Sequence, residues 1–235
     1  MQEVFERRQR AAELVDSARN GTEHVRAAAE ALAAAESRLE AAADRLDRAR
    51  GEAAPRLAGA INEQMRFLEM GTAEVEVSIV RRPRSEWTQE GPSTVELMYR
   101  PAAGLSARPL RKIASGGEVS RVMLACKVVL GKADGIETLV FDEVDAGVGG
   151  STALALAQVL TRLAATHQVI VVTHLAQVAV AGGCHYLVLK SGGKLPETTL
   201  RRIDGEARVR EVARMLSGDE SDVSIAHARQ MLADA

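Results

Sequence analysis

The sequence predicts an α/β lobe with a mainly parallel sheet, preceded by a long coiled-coil helix. Residues 1–52 are rich in Ala, Glu and Arg and contain no proline, which favours helix. From residue 53 onward, short apolar runs alternate with helical patterns, as in α/β cores with right-handed crossovers. We therefore expect a coiled-coil arm over residues 1–52 and a globular lobe over residues 53–235.

The arm carries a heptad pattern that alternates large and small residues. The large residues are Val25, Leu32, Leu39 and Leu46, and the small ones are Ala28, Ala35, Ala42 and Ala49. This alternation lets a partner helix approach closely, which is typical of one arm of an antiparallel coiled coil. A single amphipathic helix that lies on a globular core remains the alternative. Gly51 and Pro55 are expected to end the arm, with a second helix from Leu57 to Leu68.

Two segments after this helix alternate apolar with polar residues at the period of a strand. They run over residues 75–79 and 95–99 and predict two half-exposed antiparallel strands. The polar loop between them contains Arg81, Arg82 and Arg84. These arginines could bind DNA phosphates, and a solvated loop tip is the alternative.

Composition excludes several classes of protein. An apolar share of 46% supports a packed core, and a net charge of −2 gives no overall attraction to DNA or anionic lipid. The aromatic share of 3% argues against binding of single-stranded nucleic acid by base stacking. No long apolar segment or signal peptide is evident, so we expect a cytoplasmic, nucleoid-associated protein without a membrane partner. Cys126 and Cys184 are expected to be reduced, buried thiols.

The segment Ser115-Gly116-Gly117-Glu118 leads directly into an apolar helical run. Free backbone N–H groups and the helix dipole make such a helix start an anion site. The alternative is an ordinary capped helix, in which Ser115 is the N-cap and Glu118 completes a capping box.

Two buried strands are followed by side chains suited to chemistry. Leu139-Val140-Phe141 ends in Asp142 and Glu143, with Asp145 in the glycine-rich turn that follows. The apolar strand 169–172 ends in Thr173-His174. Because ligands gather at the carboxyl ends of strands, the two adjacent acids predict a metal ion and an activated water.

In their order and spacing, these motifs resemble the signature, Walker B, D-loop and switch histidine of ATP-binding-cassette ATPases. The coiled-coil arm makes the chain similar to the SMC-like branch of that family. Within this branch, residues 140–150, 173–179 and 208–218 resemble bacterial proteins of DNA repair. Ala114 stands where the general signature has leucine, outside the two glycines that contact phosphate.

The resemblance implies ATP and Mg²⁺ as cofactors. Asp142 is expected to hold Mg²⁺ through water, Glu143 to orient or deprotonate the attacking water, and His174 to sense the γ-phosphate. The protein is expected to act as an ATP hydrolase in recombinational repair of DNA double-strand breaks.

The resemblance also implies a second head in an ATP-bound homodimer. Ser115, Gly116 and Gly117, with Glu118 in the same motif, are expected to bind the ATP held by that second head. Asp145 is expected to lie across the interface between the heads.

The chain lacks the phosphate loop G-x-x-x-x-G-K-[ST]. Gly131-Lys132 and Gly193-Lys194 are followed by Ala133 and Leu195 and have no correctly placed glycine before them. The resemblance therefore implies an N-terminal lobe with the Walker A motif as a partner, and we expect no activity of this chain alone. Two alternatives are a structural or interaction module without ATPase activity and a generic SMC-like or RecF-like head.

Overall fold

This computed structural model describes residues 2–113, 115–190 and 197–235, without the side chains of Lys132 and Asp134. Ala114, Gly193, Lys194 and Leu195 lie outside the described residues. The chain forms two compact units, one of Met1–Ala53 with Ile79–Thr94 and one of Ala54–Ser78 with Val95–Ala235. The boundary proposed between arm and lobe, at residues 52 and 53, stays a prediction.

Helix α1 runs over Gln2–Phe67, so the predicted helix end at Gly51 and Pro55 is wrong. Pro55 lies inside the helix, where its missing N–H leaves the carbonyl of Gly51 without the usual partner. The following turns are stabilised by burial, since Ile61 and Met65 lie in the core of the second unit. The side chain of Asn62 also exchanges two hydrogen bonds with the backbone of Val75, at 2.7 and 3.0 Å. These contacts offset the cost of the proline.

The large heptad residues of α1, Val25, Leu32, Leu39 and Leu46, are exposed. In the first unit, α1 is contacted mainly near residues 40–50. There Arg81 meets three carboxylates, at 2.6 Å from Glu40, 2.6 Å from Asp44 and 3.3 Å from Asp47. Gly91 approaches α1 so closely that an added Cβ would lie 2.5 Å from the Leu46 side chain. The segment between the first two strands is therefore fixed to residues 40–50 of the helix.

The two predicted alternating strands are confirmed. They belong to a three-stranded sheet in the order β1-β2-β3, in which β2 and β3 are antiparallel. The strands are β1 Glu74–Arg81, β2 Ser93–Arg100 and β3 Arg108–Pro109.

The rest of the second unit alternates helices and strands as predicted. Its helices are α2 Gly116–Leu130, α3 Gly150–Ala164, α4 Ala176–Ala181, α5 Gly205–Ser217 and α6 Asp222–Ala233. Its strands are β4 Thr138–Phe141, β5 Gln168–Val171, β6 His185–Lys190 and β7 Thr198–Ile203. Short 3₁₀ turns occur at Arg84–Glu86, Leu110–Lys112 and Gly131–Asp134.

The prediction of a mainly parallel sheet is wrong, although the α/β class is confirmed. In the described part of the chain, only β4 and β5 pair in parallel, and β6 pairs with β7 antiparallel. Helix α3 provides the long crossover that a parallel pair requires, whereas only residues 191–197 separate β6 from β7 in the sequence. Connection length therefore decides the strand direction.

The main core of the second unit lies around α2, α3 and the β4–β5 pair. Its fully buried side chains include Met65, Leu124 and Leu156. Cys126 is buried, and burial raises the pKa of its thiol to about 11. Cys184 is exposed, so its predicted burial is wrong. Among the described residues, no helix has the length and apolar character needed to span a membrane.

Candidate functional site

The chemically active side chains predicted from the sequence meet at one end of the β4–β5 pair. These strands are parallel and in register, with Phe141 opposite Val171, so their carboxyl ends lie side by side. Asp142, Glu143 and Asp145 follow β4, and Thr173-His174 follows β5. The expected common location at a strand end is therefore present.

Asp145 is buried, with 3% of its surface exposed, and it binds the segment after β5. Its Oδ2 accepts hydrogen bonds from the Thr173 hydroxyl at 2.5 Å and the His174 backbone N–H at 2.9 Å. His174 Nδ1 lies 3.0 Å from the same oxygen, while 69% of the His174 side chain is exposed. The carboxylate favours a proton on Nδ1, which leaves Nε2 available to a ligand.

Asp142 and Glu143 are exposed, and their carboxylates have no hydrogen-bond or ion-pair partner among residues 2–113, 115–190 and 197–235. Glu143 has φ 57°, the left-handed conformation that side chains other than glycine rarely adopt. Adjacent free carboxylates fit the oxygen ligands that Mg²⁺ prefers. No cluster of three or more His, Cys, Asp or Glu side chains that could hold a metal ion occurs in the described part of the chain.

The start of α2 has the N-cap that one alternative predicts. Ser115 is the N-cap, and its Oγ accepts from the Glu118 N–H at 3.4 Å. Both glycines face the loop after β4. An added Cβ would lie 2.6 Å from Glu143 Oε2 at Gly116 and 2.9 Å from Ala146 Cβ at Gly117. Packing therefore requires small residues here, and phosphate binding by Ser115, Gly116 and Gly117 stays a prediction.

The buried Tyr99 and Glu118 line the same cavity. Burial, followed by the charge and hydrogen bond of Glu118, raises the pKa of Tyr99. The place of Tyr99 beside the site could not be predicted from the sequence, because its alternating strand pattern indicates only a half-buried position.

Two further contacts of α2 could not be predicted from the sequence. Ser120 Oγ donates to the Asp142 carbonyl at 3.0 Å, and Arg121 Nη1 donates to the Ala146 carbonyl at 2.8 Å. The only available signal was helical spacing, which places Ser120 and Arg121 one turn after Gly116 and Gly117.

In the first unit, the arginines of the predicted DNA patch have different surroundings. Arg81 contacts three carboxylates, which raise its pKa, mainly through the hydrogen bond that Arg81 donates to Asp44. Arg82 Nη2 donates to the Gly91 carbonyl at 3.1 Å. The guanidinium of Arg84 lies over the Trp87 ring, 4.5 Å from its centre. Arg84 therefore fits a phosphate contact better than Arg81.

No protein-family model matches the chain. The chain is similar in structure to an Smc head domain with a coiled coil and joint from Pyrococcus yayanosii, with a TM-score of 0.50 and 17% identity. The match covers 69% of this chain and 29% of that one. This likeness defines the fold as that of an SMC-like head.

Sequence similarity is more specific. The chain is 43% identical over 199 residues to DNA repair protein RecN of Streptomyces coelicolor and 44% identical over 189 residues to that of Deinococcus radiodurans. Each match covers 80% of this chain, but only 35% and 33% of the respective relatives. A third relative, RecN of Treponema pallidum, is 51% identical over 140 residues, which are 59% of this chain and 24% of that protein.

The chain is therefore RecN-like, which confirms the resemblance predicted from its motifs. It spans about a third of the length of the curated relatives that it matches.

Proposed function

We propose that this chain supplies the signature motif and the catalytic carboxylates of an SMC-like ATPase in recombinational repair of DNA double-strand breaks. The observation that carries this proposal is the meeting of Glu143, His174 and the start of α2 around one loop, residues 142–146. The RecN-like sequence supports the role in DNA repair.

The chain's own residues suit the hydrolysis of a phosphoanhydride. Mg²⁺, when bound, neutralises charge on the phosphates, and Asp142 would hold it through water. Glu143 presents an unpaired carboxylate that can orient a water molecule and accept its proton. His174, fixed through Nδ1, can donate a hydrogen bond from Nε2 only when protonated, and otherwise accepts one there.

A second head is proposed to bring its ATP to the start of α2. Ser115, Gly116 and Gly117 offer backbone N–H groups at a helix N-terminus for its γ-phosphate. Asp145 receives a different role from the one expected. Its buried carboxylate is bonded to Thr173 and His174, which favours orientation of His174 within one head over contact between two heads.

An N-terminal lobe with a phosphate loop is proposed to cover the open face of the β4–β5 pair. On this face Val140, Ile170 and Val172 are 66%, 47% and 55% exposed. The opposite face is buried through Leu139 and Phe141. Parallel strands are typically covered on both faces, so a further layer is expected on these apolar residues. The part of the Streptomyces coelicolor relative that this chain does not match is long enough to contain such a lobe.

An ATPase assay with and without the N-terminal lobe tests the proposal. The purified chain alone should show no magnesium-dependent turnover, because it lacks the lysine and backbone cradle for the phosphates. Addition of the lobe should produce turnover that Glu143→Gln lowers to a small residual rate. Robust turnover by the chain alone, or none after addition of the lobe, would contradict the proposal.

Ser115→Arg tests the second head. The bulky cation should block ATP-dependent dimerisation of the complete protein and leave binding of ATP to one head intact. Light scattering and a fluorescent nucleotide measure these two properties separately. A variant that still dimerises with ATP would disprove the assigned role of Ser115.

The exposed heptad residues of α1 favour one alternative, a module that binds partners through its helix. Val25, Leu32 and Leu39 remain exposed in the described structure. The same ATPase assay separates the two functions, since an interaction module gains no turnover from the N-terminal lobe. Contact with DNA through Arg84 is a further proposal, and weaker salt-dependent binding by Arg84→Ala would support it.

A further inference from the structure

Two neighbouring side chains of α2 hold the loop after β4 on both sides of Glu143. Before Glu143, the Asp142 carbonyl accepts from Ser120 Oγ at 3.0 Å. After Glu143, the Ala146 carbonyl accepts from Arg121 Nη1 at 2.8 Å, and the Val144 carbonyl lies 3.4 Å from the same nitrogen.

Glu143 itself adopts a backbone conformation that needs support. Its φ of 57° is left-handed, and a residue with a Cβ keeps this conformation only where surrounding contacts enforce it. Within the turn, the Ala146 N–H donates to the Glu143 carbonyl at 3.0 Å. The hydrogen bonds from Ser120 and Arg121 also hold the carbonyls of Asp142 and Ala146, which lie on either side of Glu143.

The approach of α2 to this loop depends on Gly117. An added Cβ at Gly117 would lie 3.2 Å from the carbonyl oxygens of both Glu143 and Ala146. Without a side chain at that position, the helix lies close enough for Ser120 and Arg121 to reach the loop. The Arg121 bonds are charge-assisted and therefore stronger than those between neutral groups.

We propose that Ser120 and Arg121 are positioning residues that hold Glu143 in its left-handed conformation and thereby aim its carboxylate. The inference rests on the proposed ATPase function. Both residues act through backbone carbonyls of the loop, so their effect is on the rate of the chemical step and not on the binding of ATP.

Steady-state kinetics of the complete protein, with its N-terminal lobe, tests this inference. Ser120→Ala and Arg121→Ala should each lower kcat about 10- to 100-fold, as expected when a catalytic group is displaced by about 1 Å. The KM for ATP should not change. Arg121→Lys should restore part of the rate, because an ammonium group can donate to one carbonyl but lacks the guanidinium fork.

Arg111→Ala is the matched control. Arg111 is exposed and pairs with Glu96 at 2.7 Å, and within the described structure it makes no hydrogen bond or ion pair with the loop. Its removal should leave both kcat and KM unchanged.

A double-mutant cycle separates action through Glu143 from a general structural effect. If Arg121 acts through Glu143, Arg121→Ala should not lower the residual rate of a Glu143→Gln protein any further. An equal fold-loss in both backgrounds would overturn the inference. Unchanged kcat in both alanine variants, or a change in KM alone, would also overturn it.

Two further measurements show whether each variant folds and whether the wild-type protein has the proposed ATPase activity. Thermal unfolding of each variant shows whether it folds, and if Arg121→Ala does not, Arg121→Lys and Ser120→Ala carry the test. A wild-type protein without turnover would refute the proposed function and this inference together. Turnover in the wild type that all these variants match would refute this inference alone.

Discussion

Asp145 holds His174 from its buried side, with Asp145 Oδ2 3.0 Å from His174 Nδ1. The same oxygen accepts from the Thr173 hydroxyl and the His174 backbone N–H. One buried carboxylate thus fixes both the end of β5 and the orientation of the exposed imidazole.

Asp145→Ala should destabilise the second unit and release His174. The change leaves the Thr173 hydroxyl and a backbone N–H without their acceptor, which should cost about 2–3 kcal/mol in the free energy of unfolding. Chemical denaturation measures this loss, and NMR of the imidazole nitrogens should show a shift away from the Nδ1–H tautomer. The control Asp142→Asn changes an exposed carboxylate and should alter stability by less than about 0.5 kcal/mol. Equal stability of the Asp145 variant and the control would contradict the assigned contacts.

Gly117→Ala should be more destabilising than Gly116→Ala. At Gly117 the new Cβ would lie 2.9 Å from Ala146 Cβ and 3.2 Å from the carbonyl oxygens of Glu143 and Ala146. Overpacking should therefore cost about 1–3 kcal/mol. At Gly116 it meets only the end of the flexible Glu143 side chain, which can rotate away. Thermal unfolding compares the two variants.

Gly59→Ala provides the control for the glycine variants, because Gly59 lies within α1 with nothing within 4 Å of an added Cβ. It should stabilise the helix by about 0.5–1 kcal/mol. If Gly117→Ala were as stable as this control, close packing of α2 on the loop would be excluded.

Arg81→Ala should loosen the segment between β1 and β2. The variant removes the common partner of Glu40, Asp44 and Asp47 and leaves three carboxylates close together. Hydrogen–deuterium exchange of residues 82–92 should become faster, and high salt should reduce the difference from wild type because it screens exposed charges. Arg48→Ala, on the same helix but outside this cluster, should not change the exchange. Unchanged exchange in the Arg81 variant would show that the cluster does not fix the segment.

Asp219 should contribute to stability only above strongly acidic pH. Hydrogen bonds from the Ser224 hydroxyl, then from the N–H and hydroxyl of Ser221 and the hydroxyl of Ser217, lower its pKa to about 2. Because the folded pKa is below the usual value of about 4, the stabilisation is complete above pH 4 and disappears as pH falls towards 2. Asp219→Asn should therefore flatten the dependence of stability on pH in this window.

Circular dichroism during acid titration measures this effect, with Glu220→Gln as the control at the neighbouring exposed position. A variant at Asp219 that loses stability with acid as steeply as the control would contradict the assignment.

Local patterns predicted most elements, because helix and strand periods and the N-cap at Ser115 are encoded in neighbouring residues. They failed at Pro55, where burial of Ile61 and Met65 decides that the helix continues. They also failed for strand direction, which depends on how distant segments pair.

The positions of the candidate site at the ends of β4 and β5 followed from the same patterns. The contacts of Asp145 with His174 and of Arg121 with Ala146 did not, because they join residues separated by 29 and 25 positions. The assigned roles of Ser115, Asp142, Glu143 and His174 stay predictions.

Trp87, on which Arg81 and Arg84 stack, can report on the first unit separately from the second. Trp87 is the single tryptophan of the chain and belongs to the first unit, whereas both tyrosines, Tyr99 and Tyr186, belong to the second. Excitation at the long-wavelength edge of the aromatic absorption band selects Trp87, because tyrosine does not absorb there. Tryptophan emission follows the loss of structure in the first unit, and tyrosine absorbance follows the second, so one unlabelled sample reveals whether the units unfold together or in sequence.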